Sequence, residues 1–130
     1  MCPVCAKPMV AFQYEGVEID RCLDCGGSWL DAGELETMIE LSGSSPGKIS
    51  AALNRASGGR KTKRRCPRCP RKLREIEIAP VQLDRCPHAH GLWFDHGEMA
   101  RLIHHFHGGE EGEVAHFFKD LFRNEFSKTD

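Results

Sequence analysis

The feature that most constrains this chain is that it matches itself at an offset of 64 positions. Cys2, Pro3 and Cys5 fall on Cys66, Pro67 and Cys69, and Asp20-Arg21-Cys22 falls on Asp84-Arg85-Cys86. Gly27, Trp29, Asp31, Gly33 and Glu34 then fall on Gly91, Trp93, Asp95, Gly97 and Glu98, with no gap anywhere. Agreement in one register at so many uncommon residue types reflects duplication, so the chain must fold as one small unit made twice. A charged fraction of 28% leaves little for a single large core in 130 residues, which points the same way.

Each copy has the same plan. A C-P-x-C knuckle leads into alternating residues, Val10, Phe12 and Tyr14, then a Glu15-Gly16 turn, then Val17 and Ile19, which reads as a short hairpin. The second copy offers Ile76 and Ile78, an Ala79-Pro80 turn, then Val81 and Leu83. After the second ligand pair, Asp31-Ala32-Gly33-Glu34 and Asp95-His96-Gly97-Glu98 read as helix starts, with Asp as N-cap and Glu three positions on. Leu35, Met38 and Ile39, and in the repeat Met99, Leu102, Ile103 and Phe106, follow with helical spacing. The Trp and Glu residues are explained by packing and capping without a ligand.

Seven cysteines make an odd set, spaced mostly as C-x-x-C, and the sequence opens on Met1-Cys2-Pro3 with no signal-peptide pattern. No apolar run reaches the roughly 20 residues that span a bilayer, so a reducing, cytoplasmic setting is expected, with thiols free for metal. Cys2, Cys5, Cys22 and Cys25 form C-x2-C-x16-C-x2-C, the spacing of a four-cysteine zinc site, in which two knuckles aim four sulfurs at one ion. The second copy keeps Cys66, Cys69 and Cys86 but has Ala89 where the fourth cysteine belongs. His88 and His90 flank the gap; C-x3-H gives His90 the extra slack its ring needs, with His88 as the alternative. Thioredoxin-like redox chemistry fits poorly, because each C-x-x-C has a partner across a hairpin and lacks a βαβ setting. His96, His104, His105, His107 and His116 have no cysteine or carboxylate at ligand spacing and suggest no further metal.

The expected fold is small α+β and metal-stabilised: two tandem zinc ribbons, each a knuckle, hairpin, knuckle and short helix, over 1–41 and 66–107. Residues 42–65 read as a linker, Ser/Gly-rich and then basic, within which 48–56 has the length of a marginal helix. Residues 108–130 read as a Gly/Glu hinge and an amphipathic helix with Val114, Phe117, Phe118, Leu121, Phe122 and Phe126 on one stripe. Two zinc ions would supply the stability that units of about 40 residues lack.

These strings resemble the transcription-factor-IIB-type zinc-finger family of small, mostly prokaryotic proteins. Cys-Pro-Val-Cys with Ile-Asp-Arg-Cys-Leu-Asp-Cys-Gly-Gly-Ser-Trp-Leu-Asp-Ala-Gly-Glu-Leu carries the likeness over 2–41, and Leu-Asp-Arg-Cys-Pro-His-Ala-His-Gly-Leu-Trp-Phe-Asp-His-Gly-Glu-Met carries it in the second copy. The resemblance implies a zinc ribbon and, as ligands, Cys2, Cys5, Cys22, Cys25, Cys66, Cys69 and Cys86; it implies little about biology.

Four protein ligands per ion leave no open coordination position, and no nucleophile and base form a local motif, so a non-catalytic interaction protein is expected. The formal charge of −1 hides a stretch from Leu41 to Arg74 with no Asp or Glu. Its Arg60, Lys61, Lys63, Arg64 and Arg65 are candidate nucleic-acid contacts, with a solvated linker as the plain alternative. Phe117, Phe118, Leu121 and Phe122 are candidates for docking a protein partner or a second copy, unless that helix folds back on its own ribbon. No membrane and no small-molecule substrate are expected.

Overall fold

The computed structural model describes residues 1–41, 47–56, 59–78 and 81–106. Each copy contributes a hairpin and a third strand. In the first, β1 (Val10–Tyr14) pairs antiparallel with β2 (Val17–Arg21), and β2 with β3 (Ser28–Asp31). Glu15 and Gly16 join β1 to β2 with φ of 51° and 83°, the doubly left-handed backbone that a two-residue hairpin turn requires. α1 (Glu34–Leu41) follows and buries Leu35, Met38 and Ile39, as their spacing predicts. The second copy repeats this with β5 (Lys72–Ile78), β6 (Val81–Arg85), β7 (Gly91–Phe94) and α3 (Glu98–Phe106). The Ala79-Pro80 turn lies outside the described residues.

The two copies are not independent. β3 pairs with β7, and with β4 (Lys61–Arg65) at the far edge the strands run β1-β2-β3-β7-β6-β5-β4 in one antiparallel sheet. Trp29 stands opposite Trp93, its own repeat counterpart, so a pseudo-two-fold axis passes between the two indoles. The alternation of β3 and β7 divides the buried side chains between the faces. Leu30, Leu92 and Phe94 join Val17, Ile19, Leu83 and the helices in one apolar core drawn from both copies. Trp29 and Trp93 join Cys2, Cys22, Cys66, Leu73 and Cys86 in a second cluster on the other face.

Two parts of the segment expected to be a linker are regular elements. Gly47–Arg55 forms α2, and Lys61–Arg65 forms β4, which pairs with β5. α2 would be marginal alone, but Ile49 is fully buried in the apolar core and Ala52, Leu53 and Ala56 pack against it. Arg85 of β6 donates to the carbonyls of Leu53 and Ala56 at 2.8 and 2.7 Å, satisfying acceptors at the helix end. α2 and β4, the described elements of the expected linker, are therefore held against the second copy rather than extended in solvent.

The helix starts differ from the expected capping box. Glu34 does reach back, accepting from the N–H of Asp31 at 2.9 Å and of Glu18 at 3.3 Å. The Asp31 and Asp95 carboxylates serve other donors, accepting from the indole N–H of Trp29 at 2.8 Å and of Trp93 at 3.1 Å. They lock the two tryptophans in place instead of capping the helices.

Candidate metal centres and basic face

The first C-x-x-C knuckle and the Cys22–Cys25 knuckle bracket the β1–β2 hairpin, which folds them onto each other. The ligand atoms of Cys2, Cys5, Cys22 and Cys25 lie within 4.8 Å of one another, and so do those of Cys66, Cys69, Cys86 and His90. Sulfurs about 2.3 Å from a tetrahedral zinc stand roughly 3.8 Å apart, whereas a disulfide requires about 2.05 Å. Cys2 and Cys25 are 3.8 Å apart and Cys69 and Cys86 3.7 Å, and the cysteines are all unpaired. The donor set and its spacing fit zinc.

Backbone N–H groups support the sulfurs. Val4 and Cys5 donate to Cys2 Sγ at 3.3 and 3.2 Å, Arg68 to Cys66 Sγ at 3.3 Å, and His88 to Cys86 Sγ at 3.3 Å. Such donors favour thiolate. At Cys22, burial would raise the pKa, but N–H groups of Cys25 and Asp24 outweigh it and bring the thiol down to about 7. Cys86 behaves alike, with burial outweighed by the N–H groups of His90 and His88, and also falls to about 7. Burial pushes Cys25 and Cys66 up to about 12, so these two thiols need the cation itself to ionise.

The exchange of cysteine for histidine has a backbone cause. In the first copy the knuckle closes with Gly26 donating to the Cys22 carbonyl at 2.8 Å, and Gly26 takes the positive φ of 77°. In the second copy Ala89 donates to the Cys86 carbonyl at 2.9 Å and itself takes φ of 62°. The turn closes one residue earlier, which carries residue 90 to the ligand position. His90 Nδ1 is 3.3 Å from Cys86 Sγ, and His88 is not in the quartet.

The two centres are tied together. A Cβ on Gly27 would stand 2.2 Å from Trp93 Cζ2, and one on Gly91 would stand 2.7 Å from Trp29 Cζ2, so each indole lies on a glycine within two residues of the other copy's last ligand. Ala32 donates to the His90 carbonyl at 3.0 Å across the junction. Arg68, between the ligands Cys66 and Cys69, reaches into the first copy and donates to Asp31 at 2.9 and 3.0 Å and to Asp20 at 2.7 Å. The Arg68 guanidinium holds the Asp31 carboxyl below the usual carboxylate range. The counterpart pair, Asp84 and Asp95, is bridged by Arg64 at 2.9 to 3.1 Å.

These contacts sort the five expected nucleic-acid residues. Arg64 is committed inward to Asp84 and Asp95, and Arg60 pairs with Glu75 at 3.1 Å. Lys63 is exposed. Lys61 and Arg65 stand opposite Arg74 and Lys72 in the β4–β5 pairing and, with Arg71 and His88, line an open concavity that contains no acidic residue. Arg71, Lys72 and Arg74 fall within the stretch from Leu41 to Arg74 that has no Asp or Glu; that Lys72 and Arg74, on β5, pair against β4 is visible only in the sheet. Phe117, Phe118, Leu121 and Phe122 lie outside the described residues, as do His107 and His116.

Two thiolate-rich, four-ligand centres, each set between two knuckles and a three-stranded antiparallel unit, define a tandem zinc-ribbon protein. The chain belongs to the transcription factor zinc-finger family, whose sequence profile matches residues 1–41 and 65–105, one match per ribbon. No curated protein and no solved structure matches the chain. No helix among the described residues is long and apolar enough to cross a membrane.

Proposed function

We propose that this protein is a non-catalytic platform, held in shape by two zinc ions, that binds nucleic acid through the cationic face of β4 and β5. The observation that carries the reading is the concavity lined by Lys61, Arg65, Arg71, Lys72 and Arg74 with no carboxylate among its lining residues. Like charges placed directly opposite on paired strands destabilise the pairing, and here Lys61 faces Arg74 and Arg65 faces Lys72. A polyanion would relieve that repulsion, and phosphates spaced along a strand are the polyanion chemistry such a stripe suits. No Phe, Tyr or Trp is among the described residues that line the concavity, and His88 is its single aromatic ring, so the contact is mainly to phosphate, with little base preference. The ribbons contribute rigidity rather than chemistry, because each ion has four protein ligands and no open position for substrate.

Fluorescence anisotropy with labelled RNA and DNA at 50 and 200 mM salt tests this reading. Four phosphate contacts predict a log–log salt slope near −3.6 on duplex DNA, or roughly a hundredfold weakening over that range. Replacing Lys61, Arg65 and Lys72 together by Gln abolishes most of the binding, while Arg60→Gln, whose partner is Glu75, has a small effect. Binding that ignores both salt and the triple substitution refutes the proposal.

A further inference from the structure

Both copies hold the same pair of aspartates, Asp20 with Asp31 and Asp84 with Asp95, and in each pair the second carboxylate fixes an indole N–H. The cations that meet these pairs come from unlike places. Arg64, on β4, serves Asp84 and Asp95. Arg68 serves Asp20 and Asp31 across the junction, and it belongs to the second copy's metal knuckle, between the ligands Cys66 and Cys69. The counterpart of Arg68 is Val4, which is apolar and 45% exposed, so the first knuckle sends no such cation back.

The position of Arg68 depends on the knuckle that carries it. Its own N–H donates to Cys66 Sγ at 3.3 Å, and the Cys66 N–H closes the loop on the Arg71 carbonyl at 2.9 Å. An ion that gathers Cys66 and Cys69 onto one point fixes this loop; without it the guanidinium is no longer aimed at the first copy. The carboxylate it would leave is costly, because Asp20 is only 8% exposed, and a buried charge stripped of its partner loses far more than an exposed one. Asp31 holds Trp29, which is fully buried in the cluster that contains Cys2 and Cys22. Other groups of the second copy lie against the first copy's last knuckle: a Cβ on Gly26 would stand 2.5 Å from His96 Nδ1, and one on Gly27 would meet Trp93.

We propose that Arg68 couples the two metal centres, so that zinc in the second strengthens the first centre's hold on its own ion. Arg68 is a positioning residue, since it touches neither ion's ligand atoms in the first copy and acts through Asp20, Asp31 and Trp29. Such coupling is reciprocal, so zinc in the first centre strengthens the second by the same factor. The factor is about tenfold, toward the low end for coupled sites, because Arg68 is 40% exposed and solvent screens part of its charge. Loss of one ion then hastens loss of the other, and the platform responds to falling zinc more steeply than two separate ribbons would. The proposal is independent of nucleic-acid binding, and its test requires no nucleic acid.

The full chain is equilibrated in zinc buffers and pulsed with N-ethylmaleimide, and peptide mass spectrometry then reads each centre separately: Cys2, Cys5, Cys22 and Cys25 report the first, and Cys66, Cys69 and Cys86 the second. Arg68→Gln keeps all eight ligands. In this variant the product of the two midpoint zinc concentrations, which measures total binding, rises about tenfold over wild type. In a His90→Ala background, where the second centre is empty, the same Arg68→Gln change leaves the first centre's midpoint unchanged. A product that does not rise in Arg68→Gln overturns the coupling. An equal rise of the first midpoint in the His90→Ala background overturns it too, since Arg68 would then brace the first ribbon whether or not the second holds zinc.

Discussion

Gly91→Ala isolates the junction between the ribbons. The added methyl would stand 2.2 Å from the Leu30 carbonyl oxygen, 2.7 Å from Trp29 Cζ2 and 3.0 Å from the Asp31 Cα. Two of these atoms are backbone, so no rotamer change relieves the overlap. Restoring ordinary contact requires β3 and β7 to part by about 1 Å at the Asp31–Gly91 pair. Overpacking of this kind costs about 1–3 kcal/mol, and weakening a cross-strand hydrogen bond adds about 1 kcal/mol. The expected loss is therefore about 2–4 kcal/mol, or a fall in Tm on the order of 10 °C for a chain of this size. Gly16→Ala serves as control, since Gly16 has φ of +83° but nothing within 4 Å of the added Cβ, and strain alone costs about 1 kcal/mol. Thermal unfolding of the two zinc-loaded variants, with bound zinc measured in each, makes the comparison. Gly91→Ala retaining two zinc ions and melting no lower than Gly16→Ala would refute the claim that the ribbons share one sheet.

Three further outcomes follow from the site geometry. His90→Ala reduces bound zinc from two ions to one, whereas His88→Ala retains both, as measured by metal release under denaturing conditions. A strong chelator such as TPEN removes both ions and with them the near-ultraviolet circular dichroism of Trp29 and Trp93, because structural zinc contributes about 10–16 kcal/mol in small fingers, more than such modules gain from their cores. Glu98 is the counterpart of Glu34 but has a buried Oε1 with no hydrogen-bond partner among the described residues, and burial, with Asp95 close by, pushes its pKa up to about 7. A folded pKa above the unfolded value means that folding takes up a proton, so stability declines as pH rises through about 7. Glu98→Gln therefore stabilises the protein by about 1 kcal/mol at pH 8 and by less at pH 6, in urea titrations of the zinc-loaded protein; an equal effect at both pH values contradicts the burial of the charge.

Much of each ribbon is written in short stretches of sequence. The C-x-x-C pairs, the Glu15-Gly16 turn and the helical spacing of Leu35, Met38 and Ile39 act over a few residues each, and the offset of 64 repeats them, so ligands, hairpins and helices were legible before any coordinates. His90 was favoured over His88 from spacing; the reason, an earlier turn closure at Ala89, is a backbone conformation that spacing does not display. β3 and β7 carry no such signal, because strands of four residues are too short to display a period, and their pairing joins residues roughly 60 or more positions apart, Trp29 with Trp93 among them.

What the sequence determined by itself is therefore the unit: two copies, eight ligands and the elements that carry them, because those depend on local chemistry and on metal spacing. Only the tertiary structure decided what the copies do to each other. The joining of Trp29 to Trp93, the reach of Arg68 to Asp20 and Asp31, and the seating of a supposed linker as α2 and β4 are contacts between residues far apart in the chain. Their free energy comes from surfaces that meet only after each ribbon has formed around its ion, and no local pattern encodes that meeting.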